Sequence, residues 1–524
     1  MSTEIRNLDF KNKNFIFLAI LVIITICVRL YFLPSEIPFK TDAIEYFSFA
    51  FEISKTQEFP TGILVTNDGW SLFLSPIFTM IGQSDMMNLI NAQRITSILL
   101  SSLTIIPVFF LCKKIVSSKY ALIGAGLFGF SHKLIENSLL GISESLYIFL
   151  ITFVLLFSLS KNSNHYFISF IFLGLAAIVR YESLFFIIPL SIIFFLRFKK
   201  QKTSFLKFPF LILIFILVLL PISSLRLESN DVDGFTSHTI FNPQILNPNT
   251  YSTVAEITDL KTETEKIQSP NSFISNSLFN ILKFLGIISI PLFIFFIPSG
   301  IYNLFKTRNT DVLHLLIFGI FLIIPALYAY GREMQDARYL YVLFPIFCVI
   351  SVYGLDITKK LERTKFVSLI ISVIILSSIL LLFYDQPDYT YDSEILHATQ
   401  ILLQDANGVN NYPGSSYVKI ATLEKIWPNS LPLAENQRIH VLINKIPSQN
   451  FDSLEDFISH SKSSQLTHLL ITENNHEAFL DDLLIDYEKY SYLEKIYDSK
   501  DHNYKNTIII LKIDYSIFEK ILAE

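Results

Sequence analysis

The chain repeatedly runs through about 20 residues that are almost wholly apolar, beginning with "FIFLAILVIITICVRLYFLP". The core of a soluble domain does not need runs of that length, whereas crossing the hydrocarbon of a bilayer does. Apolar segments fall at about 14–33, 88–111, 119–136, 139–159, 164–180, 183–198, 208–225, 278–305, 312–330, 339–357 and 366–384. Charged residues make up 17% of the chain, against about 25% in ordinary soluble domains. These features predict a polytopic α-helical membrane protein with about eleven transmembrane helices. Segment 71–83, "SLFLSPIFTMIGQ", is too short to cross and is expected to lie at the interface or dip into it. The first run follows Arg6, Lys11 and Lys13 with no small-residue cleavage site after it, so it reads as an uncleaved signal anchor. Cys27, Cys112 and Cys348 sit in or beside apolar runs and read as packing residues.

The connecting segments alternate in charge. "CKKIVSSK", "RFKKQKTSFLK", "FKTR", "DITKKLERTK" and the N-terminus are rich in Lys and Arg. The other set comprises the acidic loop 34–87, the loop 226–277 and "GREMQDAR". The positive-inside rule makes the first set cytoplasmic. The N-terminus is then cytoplasmic, and an odd number of spans leaves the C-terminus outside the cell membrane. A net charge of −5 gives no case for nucleic acid.

The organisation expected is a membrane domain over 1–386 and a soluble extracytoplasmic α/β domain over 387–524. In the tail, "YVKIAT", "RIHVLI", "THLLIT" and "TIIILKI" read as short strands. "SEILHATQILLQDA" and "SLEDFISHSK" between them read as helices, with Ser453 and Asp456 as a capping box. Within the loop 226–277, "STVAEITDLKTETEKIQ" is a further helix candidate.

Ionisable residues gather at the outer boundary of many segments, where charge is costly and marks a site. In "FKTDAIEYFSFA", Asp42 and Glu45 follow the first span. Ile44, Phe47, Ala50 and Phe51 share one helical face away from Asp42, Glu45 and Glu52, which predicts an amphipathic helix lying flat on the membrane. Asp42 reads either as an exposed acid ending a helix or as a base that takes an acceptor's proton. Glu45 would orient that acceptor or share a metal ion with Asp42. In "GREMQDARYLYVLFPIF", Arg332 and Arg338 serve either as snorkelling anchors within a tyrosine belt or as phosphate-binding guanidiniums. Arg180 and Glu182 pair with each other or line the same cleft. Lys133 and Glu136 lie in another outer turn, and Glu144 is drawn into an apolar segment, which is costly unless it is paired. No His/Cys cluster has metal-site spacing, and no Gly-rich phosphate loop or nucleophile elbow occurs.

In order, the acid pair, "DGWSLFLSPIFTMIG", "SESLYIFL", "GLAAIVRYESLFFIIPL", "ARYLYVLFPIF" and the α/β tail resemble the GT-C superfamily of membrane glycosyltransferases. The likeness is to its protein mannosyltransferase and aminoarabinose transferase branch, over nearly all of 14–384. It implies transfer of a sugar, with inversion, from a polyprenyl- or dolichyl-phosphate carrier to a protein, glycan or lipid acceptor on the outer face. Under it, Asp42 matches the catalytic base, Arg180 the family's R-x-E turn and Arg338 its R-Y turn. Glu45 departs from the pattern, because many members have the two acids adjacent. The "WWD" of oligosaccharyltransferases is absent, which argues against transfer of a preassembled glycan to asparagine. The substrate-binding set is therefore Glu45, Lys133, Arg180, Glu182, Arg332 and Arg338, with metal dependence open. The rival readings are a multi-span transporter or lipid-linked sugar flippase, with polar residues at the midplane between repeated halves, and a non-catalytic scaffold.

Overall fold

A computed structural model describes residues 13–37, 39, 42–60, 67–82, 86–201, 204–230, 233, 235, 270–355, 364–405, 418–421, 443–446, 451, 453–463, 466–473 and 478–523. The helix candidate at 252–268 lies outside these residues. By contacts, the chain divides into two compact units. The first holds residues 1–33, 56–75 and 94–385, and the second holds 34–55, 76–93 and 386–524.

The first unit is helical. Its elements run from α1 (Lys13–Tyr31) past the second unit's α2 (Asp42–Thr56) to α3 (Gly69–Ile81) and α4 (Met86–Leu103). Next come α5 (Ile105–Lys113), α6 (Ser118–Gly129), α7 (His132–Leu139), α8 (Glu144–Ser158) and α9 (His165–Val179). A 3-10 turn (Tyr181–Phe186) leads into α10 (Ile187–Phe198), followed by α11 (Ser204–Asn230), α12 (Pro270–Ser289), α13 (Phe293–Thr307) and α14 (Thr310–Gly331). A second 3-10 turn (Ala337–Leu343) opens α15 (Phe344–Leu355), and α16 (Thr364–Tyr384) closes the set.

Every apolar segment read from the sequence falls on helix, but among the described residues fewer than eleven helices are by themselves long enough to cross a bilayer. Among the described residues, seven helical stretches are long and apolar enough, or eight if the bent pair Phe273–Ser289 and Phe293–Thr307 is one span. Two causes account for the difference. The run 278–305 breaks around Pro291, which lacks an amide hydrogen and disfavours helix in the residue before it, and the axis turns by 107°. The run 119–136 breaks between α6 and α7, while α8 and α9 are apolar but only 15 residues each. Lipid-facing surfaces are plain on α11 and α16, where Phe210, Leu217, Leu369 and Leu380 are exposed. The helices are buried on one side and apolar on the other, as a bundle in lipid requires.

The first run does more than anchor. Arg29 of α1 is fully buried, and its guanidinium donates to Ser138 Oγ (3.1 Å), Gly129 O (2.9 Å) and Ser101 Oγ (3.3 Å). It thereby ties α1 to α4, α6 and α7.

In the second unit, α2 carries Asp42 and Glu45 in its first turn, where carboxylates favour the helix N-terminus. Ile44, Phe47, Ala50 and Phe51 are buried as the periodicity predicts, and Phe47 packs on Phe39, Phe51 and Phe78. Ala43, Ser48 and Phe49 are buried as well. Asp42 and Glu45 are exposed and Glu52 is half-buried on the opposite side, so the helix is amphipathic as the periodicity predicts. Gln93 Nε2 donates to Ala43 O (3.1 Å).

The tail begins with α17 (Thr390–Asp405) and forms a five-stranded mixed sheet in the order β2-β1-β3-β5-β4. The strands are β1 (Val418–Ala421), β2 (Ile443–Ile446), β3 (Leu466–Thr472), β4 (Leu493–Asp498) and β5 (Ile508–Ile513). β1 runs parallel to β2 and β3, whereas β5 runs antiparallel to β3 and β4. Three strands fall where the alternation places them. β2 starts at Ile443, at the end of "RIHVLI", whose earlier residues lie outside the described ones. The helix Leu454–Ser461 starts as expected, with Ser453 Oγ accepting from Asp456 N at 3.2 Å.

Candidate active site

The "DGW" stretch sets up the site of the first unit. Asp68 is buried and accepts from Arg226 of α11, at Oδ2 from Nε (2.9 Å) and at Oδ1 from Nη2. The Phe235 ring lies 4.5 Å from the Arg226 guanidinium. Gly69 lies against the end of α9, where a Cβ would meet Ile178 O at 2.5 Å, so only glycine fits. Trp70 is fully buried and donates to Gly141 O (2.9 Å). Gly141 itself has φ +73°, a left-handed turn that lets the chain pass from α7 into α8. Asn67 Oδ1 accepts from Tyr181 N (3.4 Å), so Asn67, Gly69 and Trp70 hold two junctions in place, α9 to its 3-10 turn and α7 to α8.

Those junctions carry the charges. Arg180 follows α9 with an extended backbone (φ −145°, ψ 114°), which turns its side chain off the helix axis. Its guanidinium lies between two carboxylates, with Nη1 on Glu144 Oε1 at 2.8 Å and Nη2 on Glu182 Oε1 at 3.0 Å. Its Cζ lies 5.6 Å from the centre of the Tyr147 ring. Arg338 follows Asp336, whose carboxylate accepts from the Arg338 backbone amide (2.8 Å) and from its Nε (2.5 Å). Tyr330 Oη donates to Asp336 O (2.9 Å) and steadies that turn.

Glu144, Arg180, Glu182, Arg338 and Tyr339 line one cleft, whose apolar wall includes Ile148, Leu322 and Val342. The cleft is narrow and open to solvent at one side. Exposure is graded across it. The Glu144 side chain is 8% exposed and that of Arg338 is 26% exposed. Arg338 is therefore the more accessible of the two and Glu144 the more enclosed. The second carboxylate oxygen, Glu144 Oε2, is buried with no hydrogen-bond partner among the described residues.

Of the residues singled out from sequence, Arg180, Glu182 and Arg338 come together here. Lys133 does not line the cleft; it pairs with Glu136 (3.0 Å) and Asp385 (3.7 Å). Arg332 is exposed and lies 4.9 Å from the Tyr328 ring, the arrangement of an interfacial anchor. Asp42 and Glu45 are exposed on the first turn of α2, in the second unit. Partial burial, and then the Asp42 carboxylate beside it, push the Glu45 pKa above the ordinary carboxylate value. Glu144, expected to be costly unless paired, is paired with Arg180, whereas Asp336 and the Asp68–Arg226 pair were not in the substrate-binding set. The available signal was charge at the end of an apolar run, which marks Glu144 and Arg226 alike. Among the described residues, no group of three or more His, Cys, Asp or Glu is placed to hold a metal ion.

The family profile of the dolichyl-phosphate-mannose-protein mannosyltransferases matches residues 72–225. No curated protein matches the chain. Among solved structures, ArnT from Cupriavidus metallidurans bound to undecaprenyl phosphate is similar, with a TM-score of 0.60 and 9% identity over 94% of this chain and 97% of that one. The Archaeoglobus fulgidus oligosaccharyltransferase in complex with Zn and sulfate is similar at TM-score 0.53 and 14% identity, over 86% of this chain and 67% of that one. The archaeal oligosaccharyltransferase AglB from Archaeoglobus fulgidus, with an inhibitory peptide and a dolichol-phosphate, has TM-score 0.50 and 13% identity, over 88% and 70%. The chain is an integral membrane protein with the GT-C fold, mannosyltransferase-like over residues 72–225 and similar in fold to ArnT along nearly all its length.

Proposed function

We propose that the chain is an inverting glycosyltransferase that moves a sugar from a polyprenyl-phosphate carrier to an acceptor on the outer face of the cell membrane. The observation that carries this reading is a charged cleft with an accessible guanidinium, set in a GT-C bundle. A lipid carrier keeps its chain in the bilayer and its sugar phosphate at the boundary. Arg338 is placed to hold the phosphate, because a guanidinium matches phosphate oxygens bidentately. In the reaction the acceptor oxygen or nitrogen bonds to the anomeric carbon while the bond from that carbon to the phosphate oxygen breaks. The electron pair leaves with the phosphate, and the cation stabilises the charge that builds there. Asp42 takes the proton that the acceptor loses. Glu45 orients the acceptor.

Loop charge supports a cytoplasmic N-terminus, a membrane domain over 1–386 and an extracytoplasmic domain over 387–524. One similar structure contains Zn. Here Asp42 and Glu45 stand one turn apart, but no third ligand joins them among the described residues, so no step is routed through a metal.

The test is transfer of labelled sugar from undecaprenyl phosphate mannose, glucose or galactosamine to a membrane extract by purified protein. Asp42→Asn is nearly isosteric at an exposed position, so it should leave the fold and lipid binding intact. It should lower turnover about 10²-fold or more, the scale of a general base. Wild-type turnover in the variant removes Asp42 from this role. A wild-type protein that binds no polyprenyl phosphate overturns the reading as a whole.

A further inference from the structure

Glu144 is the most enclosed carboxylate of the cleft, 8% exposed against 16% for Glu182. Its Oε1 is taken by Arg180, and Oε2 is buried without a partner among the described residues, in a residue that lines the cleft. A buried acceptor left unsatisfied costs about 1–3 kcal/mol, and more when it is charged. An enclosed acceptor of this kind therefore favours a ligand that brings a hydrogen-bond donor. Charge gives the same answer. Among the described residues, Arg180 is shared by Glu144 and Glu182, and Arg338 is paired with Asp336, which leaves three carboxylates against two guanidiniums. An anion at this end of the cleft would meet Glu144 and Glu182 before it met an unshared cation.

We propose that Glu144 is the sugar-binding residue of the site: its Oε2 accepts a hydrogen bond from a hydroxyl or ammonium of the lipid-linked sugar, while the phosphate stays by the more accessible Arg338. This rests on the glycosyltransferase reading above and deepens it. The grading of exposure supports the order, with Arg338 at 26% and Glu144 at 8%. The apolar wall of Ile148, Leu322 and Val342 keeps water from competing for the acceptor. Arg180 is then a positioning residue, which fixes the Glu144 carboxylate so that Oε2 and not Oε1 faces the ligand.

The experiment measures affinity of the purified full-length protein in detergent for undecaprenyl phosphate and for undecaprenyl phosphate mannose, glucose and galactosamine. Mannose and glucose offer hydroxyls, and galactosamine adds an ammonium. The wild type should bind at least one sugar-bearing lipid more tightly than the bare phosphate. Glu144→Gln keeps the shape and an oxygen for Arg180 but removes the charge. It should erase most of that sugar-dependent gain, about 10-fold or more for a hydrogen bond to a charged group, and change undecaprenyl phosphate binding less than two-fold. A larger loss for galactosamine than for the neutral sugars identifies the ammonium as the partner. Val342→Phe narrows the cleft and leaves both carboxylates in the chain, and should abolish the same gain. If Glu144→Gln fails to fold, Val342→Phe and the wild-type comparison decide the matter alone. Equal loss for the bare and sugar-bearing lipids in both variants, or no loss in either, overturns the proposal. So does a wild type that binds undecaprenyl phosphate but gains nothing from any of the three sugars, and in that case the glycosyltransferase reading still stands. A wild type that binds none of these lipids overturns both.

Discussion

Replacing Arg180 by Gln removes the cation from between two carboxylates that are 8% and 16% exposed. The remaining pair are like charges with little water to screen them and only a neutral amide to share. Breaking a buried ion pair by removing one partner costs about 3–5 kcal/mol, between two and four powers of ten in the folding equilibrium. The cost arises from the charges left behind. The triple variant Arg180→Gln, Glu144→Gln, Glu182→Gln should therefore recover most of it and lie within about 1–2 kcal/mol of wild type, because replacing a whole buried ion cluster by neutral groups is often close to neutral. The assay is reversible SDS unfolding in mixed micelles, followed by tryptophan fluorescence. The chain has two Trp, and Trp70 is buried against the same junctions. A single variant within 1 kcal/mol of wild type refutes the reasoning, since the carboxylates would then not depend on Arg180. A triple variant as unstable as the single also refutes it, because the loss would then be one of packing. Sugar-dependent lipid binding should be lost in both variants, so the triple separates stability from function.

Arg338→Ala should weaken binding of undecaprenyl phosphate about 10-fold, and Arg338→Lys by less, because Lys keeps the charge without the fork; equal and negligible effects return Arg338 to an anchoring role. In a background lacking Cys27, Lys200→Cys should resist an impermeant thiol reagent in intact cells while Asn450→Cys reacts, and the opposite pattern inverts the topology. In the tail, burial holds the His468 pKa below its usual value despite the Asp405 carboxylate at 3.1 Å. Burial acts to raise the Asp405 pKa, but hydrogen bonds from Lys512 and His468 bring it below its usual value. Both groups bind fewer protons folded than unfolded, so their contribution is present near neutrality and is lost as pH falls below about 6.5 and on through about 4. Hydrogen exchange of β3 in the full chain should give a smaller opening free energy at pH 5.5 than at pH 7.5, and His468→Gln should flatten that slope; an unchanged value at both pH values counts against the assignment.

What the sequence revealed depended on whether the signal was local. Apolar runs are local, so every helix of the bundle was legible. Where a run stops being one straight helix was less so. Pro291 was visible within 278–305, but a proline in an apolar run either kinks a span or splits it, and only the 107° turn decides. In the tail, β3 and β5 are nearly continuous apolar runs, as central strands are. β4 reads "LEKIYD", and a register shift between Lys495 and Tyr497 breaks its alternation, so this edge strand with a bulge was not among the strands read from the sequence. The site was partly legible for the same reason. Arg180 and Glu182 are two residues apart and their pairing was an open alternative, whereas Asp68 and Arg226 are separated by 158 residues and no periodicity links them.

The same distinction explains why the first run looked like a simple anchor. Length, flanking charge and hydropathy all fit one, and its outer face indeed remains exposed at Ile16, Ile20 and Ile23. Arg29 alone disagrees. An isolated anchor in lipid would turn such a side chain toward the interface. Instead its guanidinium is buried, and its hydrogen bonds all go to neutral oxygens: those of Ser101, Gly129, Ser138 and Thr25. A permanent charge kept from water by neutral partners is costly unless those partners are fixed in place. α7 is one of those fixed partners, and it leads through Gly141, held by Trp70, into Glu144. The physical consequence is that the first helix and the Glu144 end of the cleft belong to one hydrogen-bonded frame. Arg29→Leu removes the donors and leaves Ser138 and Gly129 to find others. It should therefore loosen the α7–α8 junction and weaken binding of sugar-bearing lipid along with stability, whereas Ile20→Ala on the exposed face of α1 should alter neither.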